Sequence, residues 1–363
     1  MTKMSLRDER QQEFADEWLR KGKCGILNLC PRFGKIRTSI LIFNEMRPKR
    51  ILIAYPDNKI KDSWKSDFEL MGFDDSIVTY TTHLSLKKYV NEKYDIVVID
   101  EIHLLSGAQI EACKELLKRN NKVLGLTGTL SLSTENTLGE ELGLIVVGDY
   151  SIEKAIEENV ITDYEIFVHT VPLDNVEKQN YKGKMRTEKQ QFDAYTWAID
   201  QAQRQNRNTM FLRLNRMRIV QNSVAKKNYT KKLLEKNFHD ERVLVFCGVT
   251  KIADSLGIPS YHSKSTEKQI FNDFAEGKGN HLAVVKIGNT GVTYKPLNRL
   301  IINYFDSNAE NLAQKINRCM AFEYNNLEKK AYIHIICSNE ITEIRWLNKA
   351  LEFFDRSKIK YVT

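Results

Sequence analysis

At 363 residues the chain is long enough for about two domains, each with a core of its own. Its six cysteines contain no C-x-x-C pair, which argues against a zinc ribbon or a disulfide framework, and no apolar run approaches the roughly 20 residues that cross a bilayer. The expectation is a soluble cytoplasmic protein with no membrane partner, and a net charge of +8 with a pI near 9.0 favours a polyanion, above all nucleic acid.

Residues 5–20 carry Leu6, Phe14, Trp18 and Leu19 in a pattern that fits an amphipathic helix. Gln11 or Gln12 on it offers a carboxamide to an adenine edge, and a solvated glutamine pair is the plain alternative. An apolar strand at 25–29 then runs into Cys30-Pro-Arg-Phe-Gly-Lys-Ile36 and a helical run at 37–46. Strand, glycine-containing loop, lysine and helix form a phosphate cradle. Backbone N–H groups and the positive helix end meet anionic oxygens, and Lys35 reaches the β- and γ-phosphates.

A buried strand at 49–56 ends in Pro56, and a helix over 57–68 bears Lys59, Lys61, Trp64 and Lys65. A strand at 76–80 follows, with a threonine turn, Thr81-Thr82-His83. Ile96 to Ile99 is too short for a helix and rich in β-branched residues, so it reads as a strand buried on both faces. Asp100 and Glu101 stand at its C-terminal end, the edge where open parallel sheets bind their ligands. Adjacent acids there suit an anchor for Mg²⁺, usually through water, and a base that orients and deprotonates an attacking water. Taken alone, the motif also fits a solvated acidic turn. Residues 122–129 are the next strand and turn, and the strand–helix alternation predicts a parallel sheet whose chemistry collects at one edge.

A new strand at 164–171 puts a domain boundary near residue 160. Residues 175–236 change in character: they are polar, proline-free and helical in pattern, with fifteen Lys or Arg against five Asp or Glu. Arg204, Arg207, Arg213, Arg216 and Arg218 are interleaved with Tyr195, Trp197 and Phe211, which favours contact with a phosphate backbone over a merely solvated face. A second α/β pattern resumes at 241–248, 281–291, 299–304 and 331–337, and the tail 339–356 carries a helical apolar stripe. The fold class is α/β: two parallel sheets in tandem, the first over 1–160 and the second over 161–363, with a basic helical insertion at 175–236.

The order of these stretches resembles a superfamily 2 helicase or translocase over nearly the whole chain outside 175–236. The resemblance implies two RecA-like domains that hold ATP between them and a nucleic-acid strand across them. Residues 30–36 look like the Walker A loop, with Arg32, Gly34, Lys35 and Ile36 on the nucleotide and Gln11 on adenine. Asp100-Glu-Ile-His103 looks like a DExH box, with Asp100 on Mg²⁺ and Glu101 as base. Leu126-Thr-Gly-Thr129 resembles the motif that couples hydrolysis to domain movement, so His103, Thr127 and Thr129 are coupling residues. Gly288-Asn-Thr-Gly-Val292 resembles the fifth motif, which assigns Gly291 to nucleotide and Thr290 to nucleic acid. Gln314-Lys-Ile-Asn-Arg318 resembles the sixth, with Gln314 near the water and Arg318 as the finger on the γ-phosphate. The stretch around Pro56, Lys59 and Trp64 is similar to a DNA-tracking motif. Thr81, Thr82 and His262 are assigned to the same strand, and the basic segment adds Arg213, Arg216 and Arg218.

The implied activity is ATP-dependent movement on or remodelling of DNA, with ATP and Mg²⁺ as cofactors, and the run 302–314 is similar to phage-type DNA helicases of replication, recombination or repair. If phage-encoded, the protein acts in a bacterial host's cytoplasm. Departures from the pattern define the alternatives. The Walker loop is one residue short, and Ile36 stands where a metal-binding Thr or Ser is usual. Asn317 replaces a glycine, Ala321 stands where a second arginine is common, and Leu6-Arg-Asp-Glu-Arg-Gln11 is one residue longer than L-R-x-x-Q. A catalytically weak nucleic-acid clamp and the motor subunit of a restriction system are the competing readings.

Overall fold

The computed structural model describes residues 5–181, 183–285, 294, 297–307, 309–320 and 329–362. Thr290, Gly291 and the rest of the 288–292 motif lie outside the described residues, as do Ala321 and the side chain of Lys59. The chain divides into two compact units, Met1–Ile161 and Thr162–Thr363.

The first unit has strands β1 (Cys24–Leu29), β2 (Ile51–Tyr55), β3 (Val78–Thr82), β4 (Ile96–Asp100), β5 (Val123–Thr127) and β6 (Val146–Tyr150). Its helices are α1 (Leu6–Arg20), α2 (Lys35–Met46), α3 (Asn58–Met71), α4 (Gly107–Leu117), α5 (Leu132–Leu142) and α6 (Ile152–Glu157). Among the described residues the strands form one parallel sheet in the order β3-β2-β4-β5-β1-β6. β2, β4 and β5 are buried at every position, as inner strands covered by helices on both faces must be. Asp100 pairs with Leu126, and Asn28 with Thr127, so the C-terminal ends of β4, β5 and β1 lie side by side.

Local signals set the element ends. Ser5 caps α1 in a reciprocal box with Asp8, which satisfies donors that the first turn leaves open. Gly143, in the left-handed region, ends α5. Thr81 and Thr82 belong to β3 and not to a turn after it, because a 3-10 turn over Asp75–Ile77 starts the strand later than the apolar pattern predicts.

The second unit has β7 (Asp163–Val171), β8 (Gln179–Tyr181), β9 (Lys184–Arg186), β10 (Val243–Cys247), β11 (Ser260–Tyr261), β12 (His281–Val285), β13 (Arg299–Ile302), β14 (Lys330–Ser338) and β15 (Ile359–Val362). Its helices are α7 (Glu188–Arg204), α8 (Met210–Gln221), α9 (Val224–Lys236), α10 (Thr250–Asp254), α11 (Lys268–Ala275), α12 (Ala309–Ile316) and α13 (Ile341–Leu351). The main sheet is parallel in the order β11-β12-β10-β13-β14-β7-β15, and β8 and β9 make a separate antiparallel hairpin.

The segment read as one helical insertion divides in two. α7 and α8 pair with each other, with Arg216 Nη1 donating to Thr196 Oγ1 at 3.3 Å. α9 instead belongs to the sheet's core. Leu234 is buried with Val243, Val245 and Ile336, and Tyr229 and Leu233 pack against the same cluster. Lys226, counted by sequence among the surface charges, is fully buried and paired with the equally buried Glu343 at 2.6 Å. Charge composition misleads here because an ion pair between distant residues cancels a charge that the local sequence shows as net.

Candidate active site

The loop after β1 is shaped by two left-handed residues, Arg32 (φ 71°) and Gly34 (φ 106°). Gly34 is the N-cap of α2 and carries no side chain to block the approach to the helix end. The loop is braced from below. Gln11 Nε2 donates to the Phe33 carbonyl at 2.7 Å, and the fully buried Phe33 ring packs on Phe14 of α1 and Tyr150 of β6 at centroid distances of 5.7 and 4.9 Å. Gly128, after β5, closes the other side: a β-carbon there would lie 3.0 Å from the Leu29 carbonyl and 3.3 Å from Pro31.

Lys35, the first residue of α2, donates from Nζ to Glu101 Oε1 at 2.7 Å. Glu101 adopts φ 49° and ψ 50°, an uncommon conformation for a residue with a β-carbon. Burial alone favours its neutral acid, but the charge of Lys35 prevails and holds its pKa below the ordinary carboxylate value. Its neighbour Asp100 moves the other way. Burial and the adjacent Glu101 charge raise its pKa. The pair is thus split into a firmly ionised Glu101 and a more basic Asp100, an arrangement that gives adjacent carboxylates different roles.

Both oxygens of Asp100 are held. Trp64 Nε1 donates to Oδ2 at 2.9 Å, and the Glu101 backbone N–H donates to Oδ1 at 3.0 Å. His83 Nε2 donates to the Asp100 carbonyl at 2.9 Å, and burial lowers its pKa to about 4. On the far side of Glu101, His103 Nδ1 lies 3.5 Å from Glu101 Oε2 and 2.8 Å from Thr127 Oγ1. The Thr127 hydroxyl gives its one proton to the Thr129 carbonyl at 3.0 Å, so Nδ1 of His103 is the donor in that pair. Glu101, His103, Thr127 and Thr129 thereby form one connected polar line.

The donor set suits a magnesium ion that keeps most of its own water. Asp100 accepts one N–H on each oxygen and retains lone pairs on both, hard donors of the kind Mg²⁺ takes. Thr38 and Ser39, one turn into α2, donate to the Gly34 and Lys35 carbonyls of their own helix at 3.3 and 3.0 Å. Among the described residues no group of three or more His, Cys, Asp or Glu forms a metal cluster.

Of the residues that sequence assigned to nucleic acid, Trp64 is in a different place. Its side chain is fully buried and its N–H ends on Asp100, so it presents no face to a strand. Thr81 is buried as well, with its hydroxyl on the Thr82 carbonyl at 3.4 Å, while Thr82 is partly exposed and bonded to Ser85. Pro56 is partly exposed just past β2. Neither the Trp64–Asp100 nor the Gln11–Phe33 contact has a local sequence signal, since each joins different elements across the sheet edge.

In the second unit Gln314 lies on α12 and Arg318 on the 3-10 turn Asn317–Cys319 that follows, both half-buried. Between them, Lys315 is buried with Nζ donating to the Tyr304 carbonyl at 3.0 Å, and burial lowers its pKa to about 8. His262 Nε2 bonds Asp254 at 3.0 Å. Arg213 and Arg218 are exposed on α8, a helix without a single acidic residue, alongside the exposed Met210, Phe211 and Leu214. Arg216 differs from them: it lies over the Phe192 ring at 5.4 Å and is half-buried.

The fold is that of a two-unit α/β protein with a parallel sheet in each unit and the candidate site at the edge of the first. Residues 225–322 match the helicase conserved C-terminal domain, and the chain shares its two-domain α/β fold with solved helicases. It is similar to a fragment assigned to the HsdR subunit of a type I restriction enzyme from Vibrio vulnificus YJ016, with 14% identity over 98% of this chain and 67% of that one and a TM-score of 0.62. The type ISP restriction-modification enzyme LlaBIII, solved bound to DNA, shares 13% identity over 99% of this chain and 31% of its own, with a TM-score of 0.63. Dbp5 of S. cerevisiae, solved bound to RNA and ADP BeF3, shares 11% identity over 97% of this chain and 89% of its own, with a TM-score of 0.59. At these identities the likeness shows the fold. No curated protein sequence matches the chain. Among the described residues no helix is long and apolar enough to cross a membrane.

Proposed function

We propose that the chain is an ATP hydrolase that couples turnover to movement on, or remodelling of, DNA, a DExH-type motor of the kind phages use in replication, recombination or repair. The observation that carries this reading is the Lys35–Glu101 ion pair at 2.7 Å, which joins the phosphate loop to the acidic strand end. Triphosphate in the cradle competes for Lys35. Glu101, released from the lysine, is then free to accept a proton from an attacking water, and His103 and Thr127 carry the change towards Thr129. Asp100 would hold magnesium, which would supply positive charge against the triphosphate. The resemblance also assigns Gln314 and Arg318 to hydrolysis, Gly291 to nucleotide and Thr290 to nucleic acid. Pro56, Lys59, Thr82, His262 and the exposed arginines of α8 are the residues we assign to nucleic acid.

A second reading draws support from the likeness to HsdR and LlaBIII: the chain is the motor of a restriction system whose nuclease lies on another polypeptide. A third, a weak or inactive clamp, draws support from Ile36, which offers a metal no hydroxyl.

The deciding experiment is Mg²⁺-dependent phosphate release from ATP with single-stranded, duplex and branched DNA and with RNA. Stimulation by DNA supports the motor, and stimulation by RNA alone moves the assignment to an RNA enzyme. Glu101→Gln is expected to keep ATP and DNA binding and to lose about 10² to 10⁴ in turnover. Unchanged release in that variant removes Glu101 from the base role, and no release from wild type with tight DNA binding leaves the clamp.

A further inference from the structure

We infer that Trp64 is a positioning residue for the metal-holding carboxylate: its indole N–H, fixed by an aromatic cluster, sets the orientation in which Asp100 meets a divalent cation. The inference rests on the reading of Asp100 as the Mg²⁺ residue and deepens it. Three observations carry it. The indole is fully buried and its Nε1 lies 2.9 Å from Asp100 Oδ2. A phenylalanine packs a core equally well without a polar hydrogen to satisfy, so a buried tryptophan whose N–H meets a buried carboxylate is specified by that hydrogen bond as well as by volume.

The indole is also held from behind. Trp64 packs on Phe68 of the same helix at 5.6 Å between centroids, Phe68 stacks on Phe73 at 4.8 Å, and both meet Phe43 of α2, at 6.3 and 5.6 Å. α2 is the helix that begins at the phosphate loop, so the donor to Asp100 is referenced to the same framework that carries Lys35. Finally, the other carboxylate oxygen is taken by the Glu101 backbone N–H at 3.0 Å. Two fixed donors, one on each oxygen, leave the carboxylate little freedom to turn, and the lone pairs that remain have set directions. Outer partners of this kind orient metal-holding groups elsewhere, and their loss weakens metal binding by about 10- to 100-fold. At a site without the Ile36 hydroxyl, the orientation of Asp100 carries a larger share of metal binding.

The test replaces Trp64 by phenylalanine and, separately, by 3-benzothienylalanine, which keeps the indole outline and exchanges N–H for sulfur. Full-length protein is titrated with a fluorescent N-methylanthraniloyl ADP in EDTA and then across a Mg²⁺ series, with Mn²⁺ binding read by electron paramagnetic resonance and folding by thermal melting. The expected result is a half-saturating Mg²⁺ concentration raised about tenfold in both variants, with metal-free nucleotide affinity within twofold of wild type. A Mg²⁺ requirement within twofold of wild type in the folded benzothienylalanine variant overturns the inference and leaves Trp64 a packing residue, whether or not Trp64→Phe folds. An equal loss of metal-free and metal-dependent binding overturns it too, by assigning the effect to the loop. Wild-type protein whose nucleotide binding ignores Mg²⁺ removes the proposed function, and the inference with it.

Discussion

Gly34 begins α2 with φ of 106°, and a β-carbon built there would lie 2.3 Å from Gln11 Nε2. Gly34→Ala must therefore either strain the backbone or push the glutamine off the Phe33 carbonyl, and the two costs together come to about 2 to 4 kcal/mol. The expected outcome is a melting temperature lowered by several degrees and at least a tenfold loss of nucleotide affinity, checked by calorimetry and by nucleotide titration in EDTA. Wild-type affinity in that variant would separate the loop from phosphate binding. At this scale much of the site was legible: a glycine and a lysine between strand and helix, and two acids at a strand end, announce themselves by spacing. Gln11 was legible as a candidate contact for adenine, but not as a brace for the loop. Trp64 was assigned to nucleic acid by the likeness of its stretch to a DNA-tracking motif, whereas burial and its N–H give it to Asp100.

Within the second unit the helix and strands nearest α9 are tied by a relay of rings. Arg299 Nη1 donates to His334 Nε2 at 2.7 Å, so His334 Nδ1 donates to His169 Nε2 at 2.9 Å, and His169 Nδ1 donates to the Tyr229 hydroxyl at 2.9 Å. Each ring is neutral in this arrangement, because a doubly protonated imidazole has no acceptor to offer. Burial lowers the pKa of His169 to about 4, and burial together with the Arg299 charge lowers that of His334 to about 2. Both values lie below the ordinary 6.5, so below that pH the unfolded chain binds protons that the folded unit refuses. Stability is whole above about pH 6.5 and falls as pH drops from there towards about 4, by about 1.4 kcal/mol per pH unit for each ring. Urea midpoints measured between pH 7.5 and 5 are expected to fall more steeply for wild type than for a His169→Gln, His334→Gln double variant, the difference corresponding to about two protons. Equal slopes would mean that the rings titrate in the fold as they do in water. The relay links β7, β13, β14 and α9, and α9 was the element whose basic composition pointed outward; Lys226 and its distant partner Glu343 reverse that.

At the scale of the whole molecule the positive charge is concentrated in 175–236, where the excess of basic residues is larger than the chain's net +8. The structure sorts the three arginines proposed for nucleic acid. Arg213 and Arg218 stand exposed on α8, whereas Arg216 is spent on Thr196 and the Phe192 ring. Arg213→Gln with Arg218→Gln is therefore expected to lower the slope of log affinity against log salt by about two units, one for each phosphate that is no longer neutralised. Arg216→Gln is expected to lower the melting temperature by loosening the α7–α8 pair, with less effect on that slope. The measurement is oligonucleotide binding across a salt series, and an unchanged slope in the double variant would return these residues to a solvated face. Met210, Phe211 and Leu214 are exposed beside them on α8.

By itself the sequence determined what depends on neighbours along the chain: strand–helix alternation, the buried β-branched runs, the phosphate loop and the acid pair. Period and spacing encode these because a strand or a loop is built from contiguous residues. Tertiary structure decided who meets whom. Gln11 and Phe33 are 22 residues apart, Trp64 and Asp100 36, Lys35 and Glu101 66, and Lys226 and Glu343 117. The first three pairings follow from the way the strand order β3-β2-β4-β5-β1-β6 and its covering helices bring distant parts of the chain to one edge. That order is a crossover pattern, settled by which faces pack together once helices cover both sides of the sheet, and no local stretch of the chain carries it.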